Sequence, residues 1–487
     1  MLKLNRRKFL ALGTVGVGAT LAAHWAFRSN SGLTPISSSI ALPRQHRSSE
    51  GLLELDLEAD YHSVNLAGKQ AQLITYNGQI PGPRLEVQPG DTVQIHFQNN
   101  LPQPTNLHYH GLHIPITGNA DNVFLQIPPG EQLTYEFTIP PDHPAGLFWY
   151  HPHRHGFVAE QLFGGLAGLL VVRGELDEIP EVKAAVQQFL VLQDFGLDQQ
   201  GNLLPERQLS IMTGREGNFI TVNGQHNPNF SIPPGKSLRL RILNASPSQF
   251  YRLSLEEHPL YLIATDGGAL AEPVELTELL LTPGERADVL IQANRESGQY
   301  RLLNLPYQRV GMGMMGGGMM GRGMMGSSRT NESQVLATIS YEAKTSTPLP
   351  TQLIPVEPLP QVKQTRRFQM NHGMIPGQGM TFLFNGRPYR PQRIDTQVQL
   401  NTVEDWELVN TGMMDHPFHV HANAFQILSR NAQPEPYRAW KDVVLVKPGE
   451  TVIIRMAFRD FAGKTVYHCH ILDHEDLGMM GNLEIRA

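Results

Sequence analysis

One cysteine, Cys469, is the entire thiol content of the 487-residue chain, so no internal disulfide can form. A lone cysteine is inert, reactive or a metal ligand. Past the N-terminus no apolar run approaches the roughly 20 residues that a membrane helix needs. No stripe of Lys or Arg is present and the formal net charge is only −6, so nucleic acid is not an expected partner. What the chain does have is 40% hydrophobic residues, enough for ordinary buried cores. Its length predicts roughly three domains at about 150 residues each. The 45 Gly and 36 Pro, with short Val/Ile/Leu runs between turn signals, favour an all-β fold.

The N-terminus reads as an address. Asn5-Arg6-Arg7-Lys8-Phe9-Leu10 precedes a weakly apolar run, Ala11 to Ala23, in the manner of a twin-arginine export signal. A membrane helix is the alternative, but the run is too short to span a bilayer. No clean A-x-A site follows, which leaves the cleavage point anywhere from Ala22 to Arg47. The expectation is a signal and disordered linker over 1–45, with the Ser-rich stretch 28–50 disordered. The mature protein is expected to be a soluble monomer, free of the membrane once the signal is removed. The twin-arginine machinery would deliver it to the periplasm or another extracytoplasmic compartment.

Two phrases recur three times in the same order. Asn77-Gly78, Asn223-Gly224 and Asn385-Gly386 are turn signals, and each leads to an alternating strand that ends in Asn, at Asn99, Asn244 and Asn410. Pro129-Gly130-Glu131, Pro283-Gly284-Glu285 and Pro448-Gly449-Glu450 each open a further alternating strand. The repeats predict domains at 46–175, 176–345 and 346–487. Several short strands in each suit a Greek-key sandwich.

Four histidine clusters stand out among 20 histidines: His108-Tyr109-His110, His151-Pro152-His153, His416-Pro417-Phe418-His419-Val420-His421, and His468-Cys469-His470 with His474. The stretch leading into His151 and that leading into His468 occupy equivalent offsets in repeats one and three. The matching stretch of repeat two, Gly298 to Leu303, has no histidine. Residues i and i+2 of a strand face one way, so each His-x-His pair aims two imidazoles together. Eight such imidazoles exceed one ion's needs and suit a cluster of about three. A lone histidine is more often packed or on the surface, as His24, His46, His62, His96, His226, His258 and His372 read; four ordered pairs are not explained that way.

Cys469, His474 and Met479 lie close in sequence, and His416 joins them. Two His, one Cys and a weak axial Met describe a blue-copper electron-transfer site, whereas zinc has little use for a thioether. Cys469 sits between His468 and His470, so its sulfur points opposite to the two imidazoles and is linked to both by a few covalent bonds.

As a set these motifs resemble the three-domain bacterial multicopper oxidases, which include laccases and copper efflux oxidases, over nearly the whole mature chain. The resemblance implies three consecutive cupredoxin-like Greek-key sandwiches. It implies four coppers: a type 1 ion on His416, Cys469, His474 and Met479; a type 2 ion on His108 and His419; and a type 3 pair on His110, His151, His153, His421, His468 and His470. It also implies O₂ as electron acceptor, reduced to water. Glu475 matches a position linked to proton delivery in relatives, and Asp121 matches an acidic residue near the type 2 copper. Each could otherwise be an ordinary structural carboxylate.

The stretch 311–326 holds seven of the chain's 17 methionines: Met312, Met314, Met315, Met319, Met320, Met324 and Met325. So much Gly cannot hold a core helix, and a passive loop is the bland alternative. Thioethers select Cu(I). Met414 matches a substrate-copper ligand of the efflux oxidases, although the acidic partners there are not clearly retained and Met370 to Met380 is only a short remnant of their Met-rich segment. The expectation is a Cu(I) oxidase serving copper detoxification. Phenol oxidation, as by a laccase, and ferroxidase activity are the enzymatic alternatives. A copper-sequestering protein is the non-enzymatic one, and it would need neither the Cys-linked path nor a cluster.

Overall fold

The Asn-Gly turns form as their chemistry dictates. Asn77, Asn223 and Asn385 adopt φ of 52, 55 and 51°, and the glycines after them 68, 71 and 73°, the left-handed pair of a tight hairpin turn. The computed structural model describes residues 43–205, 212–309, 332–345, 347–360, 362–377 and 379–487. The twin-arginine segment and the methionines of 311–326 lie outside the described residues.

The fold is all-β, three cupredoxin-like sandwiches in succession. Sheets of five and four strands span the first, and sheets of six and five strands each of the other two. The strand order repeats. Leu52–Leu66, Thr92–Asn99 and Gln132–Thr138 are adjacent in domain one, as are Val186–Phe195, Ser237–Asn244 and Arg286–Gln292 in domain two, and Gln364–Ile375, Thr402–Asn410 and Thr451–Phe458 in domain three. Strict alternation buries every second residue of Thr92–Asn99 and Thr451–Phe458. Each sandwich encloses its own core, centred on residues such as Phe97, Leu240 and Trp406.

The recurring phrases interlock. The amide of Asn99 donates to the Gln103 and Ile127 carbonyls, that of Asn244 to Gln249 and Leu281, and that of Asn410 to Met414 and Val446. The backbone N–H of Gly130, Gly284 and Gly449 donates to the carbonyls of Asn99, Asn244 and Asn410, at 2.7, 3.0 and 2.9 Å. These buried donors and acceptors must be paired somewhere, and the repeats pair them identically. In domain three this tie fixes the loop that delivers His416.

One expectation is corrected. Residues 43–50 are not disordered: Gln45–Arg47 is a strand, parallel to Gly82–Val87, with Arg47 3.1 Å from Glu86. Backbone pairing to an open sheet edge is indifferent to the composition that suggested a linker. Among the described residues no helix is long and apolar enough to cross a membrane.

Candidate metal centre

Two antiparallel strand pairs carry the histidines. His108–His110 pairs with Gly146–His151, placing His108 opposite His151. His416–Val420 pairs with Gly463–Cys469, placing His419 opposite His468. The first pair belongs to domain one and the second to domain three, and they meet face to face. His108 stacks on His421 with ring centroids 3.8 Å apart, and His110 on His419 at 3.9 Å. The equivalent strands of domain two, Tyr251–Leu255 and Gly298–Leu305, bring no histidine to the meeting.

One nitrogen of several rings is fixed and the other left bare. His108 Nδ1 donates to Asp121 Oδ1 at 2.8 Å, His151 Nδ1 to the Pro152 carbonyl at 2.9 Å, and His419 Nδ1 to the Asp442 carbonyl at 2.7 Å. The Nε2 atom of each has no hydrogen-bond partner although it is buried. His110 is reversed: Nε2 donates to Asp442 Oδ1 at 2.9 Å and Nδ1 is bare. The Nε2 atoms of His153 and His421 each lie 3.1 Å from His468 Nε2. Buried polar atoms are normally paired. Bare imidazole nitrogens converging within 4.8 Å of one another fit bound cations.

A second centre lies on the far side of Cys469. Its Sγ is 3.5 Å from His416 Nδ1 and 3.7 Å from His474 Nδ1. Phe382 stacks on His474 at 3.8 Å. Met479 is wholly buried in the same apolar cluster as Cys469, whereas Met480 turns to another cluster with Val123 and Val466. Burial pushes the Cys469 thiol far above its ordinary range. A soft cation beside the sulfur would displace that proton, so the donor set fits copper.

The two singled-out carboxyls are buried at the histidine cluster. Asp121 Oδ1 also accepts the Tyr109 N–H at 2.9 Å, and Oδ2 has no partner; burial raises its pKa to about 7. Glu475 lies between the two halves, 3.6 Å from His153 Nε2 and 3.1 Å from His468 Nδ1, and burial raises its pKa well above the ordinary value. Met414 is buried in the core of domain three and its neighbour Met413 is exposed. Asp476 caps the helix Val158–Gly164 from across the domain boundary, accepting the Gly156 and Ala159 N–H groups at 2.6 and 3.0 Å.

Sequence reasoning missed Asp442 and Arg286. Nothing in Lys441-Asp442-Val443 marks a partner for two histidines. Arg286 did carry a signal: it follows Pro-Gly-Glu where the other repeats have Gln132 and Thr451, and a charged residue opening a core strand is unusual.

Ten of these imidazoles are fully buried and held below their ordinary pKa, first by burial and in most cases also by the other imidazoles, whose protonation would compete, or by Arg286 or Arg309: His108, His110, His151, His153, His416, His419, His421, His468, His470 and His474. For His151, His416 and His419 the value is about 3. A depressed imidazole contributes stability above the unfolded value of about 6.5, lost as pH falls because the unfolded chain then binds more protons. Asp121, Glu475 and Asp476 work oppositely: burial raises all three, Asp121 and Asp476 to about 7, so the folded state takes up protons where the free carboxyls have lost them. Ten outnumber three. The melting temperature of the metal-free protein should therefore drop between pH 7.5 and 5; a melting temperature that held steady or rose would contradict the burial of these rings.

Three paired strand orders and two converging sets of metal donors define a three-domain cupredoxin-type metalloprotein. Family models described as multicopper oxidase match residues 58–177, 190–314 and 359–487. The multicopper oxidase mco of Staphylococcus haemolyticus is 30% identical over 84% of this chain and 83% of its own length. The cell division protein FtsP of Photorhabdus laumondii is 31% identical over 84% of each. A solved Campylobacter jejuni multicopper oxidase, described as a metallo-oxidase, is 32% identical with a TM-score of 0.81, covering 92% of this chain and 94% of that one. The chain belongs to the multicopper oxidase family.

Proposed function

We propose that the protein oxidises Cu(I) and passes the electrons to O₂, holding four coppers to do so. His416, Cys469, His474 and Met479 hold the first, His108 and His419 the second, and the six remaining cluster histidines the other two. Bound there, copper supplies one-electron redox steps and a site at which O₂ is reduced to water. The contiguous His468-Cys469-His470 joins the two centres through a few covalent bonds. Export on the Arg6-Arg7 signal puts this activity outside the cytoplasm, where it serves copper detoxification.

The observation that carries the choice of substrate is a group of thioethers on the segments that flank the cysteine centre. In the hairpin of Gln364–Ile375 and Gly379–Phe384, the rung of His372 and Phe382 packs on the cysteine centre through Phe382 against His474, and the next rung on the same face, beyond Gly373 and Thr381, is Met374 and Met380. Met374 is 71% exposed and Met413, three residues before His416, is 51% exposed. Soft thioether donors favour Cu(I) over Fe(II), and the methionines of 311–326 add more of them in sequence. The Campylobacter jejuni relative's description as a metallo-oxidase agrees with a metal-ion reductant. The FtsP relative, named a cell division protein, supports a second reading, in which the chain has a role in cell division instead of oxidising a small reductant.

The test is O₂ uptake with Cu(I), Fe(II) and a methoxyphenol, on the intact protein and on one lacking 311–326. Deletion should lower kcat/KM for Cu(I) by about tenfold while phenol oxidation is kept or rises. Equal activity on Cu(I) with and without the tract removes it from the substrate path. Failure of all three donors on copper-loaded protein favours the second reading.

A further inference from the structure

The second domain supplies no histidine, yet it reaches the cluster. Arg286 opens its strand Arg286–Gln292, and its side chain is wholly buried where all three domains meet. A guanidinium has five N–H donors, and all five are used. Nε donates to the Leu147 carbonyl of domain one at 3.0 Å. Nη1 donates to the Gly284 carbonyl at 3.0 Å, and Nη2 to the Asp266 carbonyl at 2.8 Å. The remaining two bind Asp442 of domain three as a fork, Nη1 to Oδ1 and Nη2 to Oδ2, both at 2.6 Å.

Asp442 in turn holds one histidine from each half of the cluster. Its carboxylate accepts from His110 Nε2 at 2.9 Å and its backbone carbonyl from His419 Nδ1 at 2.7 Å. Both contacts select the tautomer whose opposite nitrogen faces the cluster. The packing leaves no slack. A Cβ at Gly111, which has φ of +87°, would collide with both the guanidinium and the Asp442 carboxylate. A Cβ at Gly284, one residue before Glu285, would fall 2.8 Å from His470 Nε2.

We propose that Arg286 is a positioning residue for the copper cluster, acting through Asp442. Domain two thereby fixes the tautomer and angle of His110 and His419, which lie on different domains. This rests on the reading that the eight imidazoles hold copper. The fork is what matters: a lysine keeps the charge but cannot make two parallel N–H···O bonds together with three further ones.

The test compares copper-loaded wild type with Arg286→Lys and Asp442→Asn. Asp442→Asn keeps the side chain's size and one acceptor oxygen, so it folds even if Arg286→Lys does not. Glu285→Gln serves as control, since Glu285 joins Lys441 at the same interface, 2.9 Å away, without touching a histidine. The readouts are the electron paramagnetic resonance signal of the isolated cluster copper and the rate of cluster copper loss to a chelator. The two variants should lose cluster copper about tenfold faster, with shifted resonance parameters and an unchanged blue band from Cys469. The control should leave both readouts as in wild type. A wild-type resonance signal and loss rate in Asp442→Asn, or in a folded Arg286→Lys, overturns the proposal even if melting temperatures fall. Wild type that binds no cluster copper refutes instead the copper reading on which it rests.

Discussion

Cys469→Ser should stop turnover on every reductant, by at least about 10³-fold, equivalent to about 4 kcal/mol in the barrier. The sulfur is the only soft anionic donor of its centre, with His416 and His474 at 3.5 and 3.7 Å. A serine hydroxyl is a hard donor and a far weaker acid, so it replaces neither the copper bond nor the path to His468 and His470. The swap is close in size, and its structural cost is one buried hydroxyl without a partner, about 1–3 kcal/mol. The fold should survive, and so should the eight imidazoles. The variant should lose its blue colour and about one copper per chain while cluster copper stays. O₂ uptake near the wild-type rate would show that electrons enter elsewhere.

Glu475→Gln should give the next largest effect, a slowing of O₂ reduction by about 10²-fold, the usual size of a lost proton-transfer group. The carboxyl is fully buried and touches a histidine from each half of the cluster, at 3.6 and 3.1 Å. Burial raises its pKa, so the folded chain holds a proton there at pH values where a free carboxyl has lost it. Glutamine keeps the shape and cannot pass the proton on. The step that bleaches the blue band when a donor is added without O₂ should keep its wild-type rate, because Glu475 lies on the cluster side of Cys469. Slowing of both steps alike would reduce Glu475 to a packing residue.

Much of this was legible in the sequence because it rests on local rules. Period-two alternation makes His108 and His110 neighbours on one face and turns Cys469 away from His468 and His470. The Asn-Gly and Pro-Gly-Glu phrases recur because one hydrogen-bonding scheme, Gly N–H to the carbonyl of the strand-ending Asn, is built three times. What was not legible depends on register between distant strands. Asp442 meets His110 across 332 positions and Arg286 across 156, and no spacing rule reaches that far. The same holds for Met479 and Met480, whose adjacent positions do not tell that the first joins the cluster of Cys469 and the second that of Val123 and Val466. The strand at Gln45–Arg47 was missed because composition describes side chains, whereas an edge strand is held by its backbone.

Copper content tests the central claim most directly. Elemental analysis of the fully loaded, purified chain should give four coppers per chain, one lost in Cys469→Ser and three kept. A single copper, or zinc in place of copper, would contradict a cysteine centre wired to a histidine cluster.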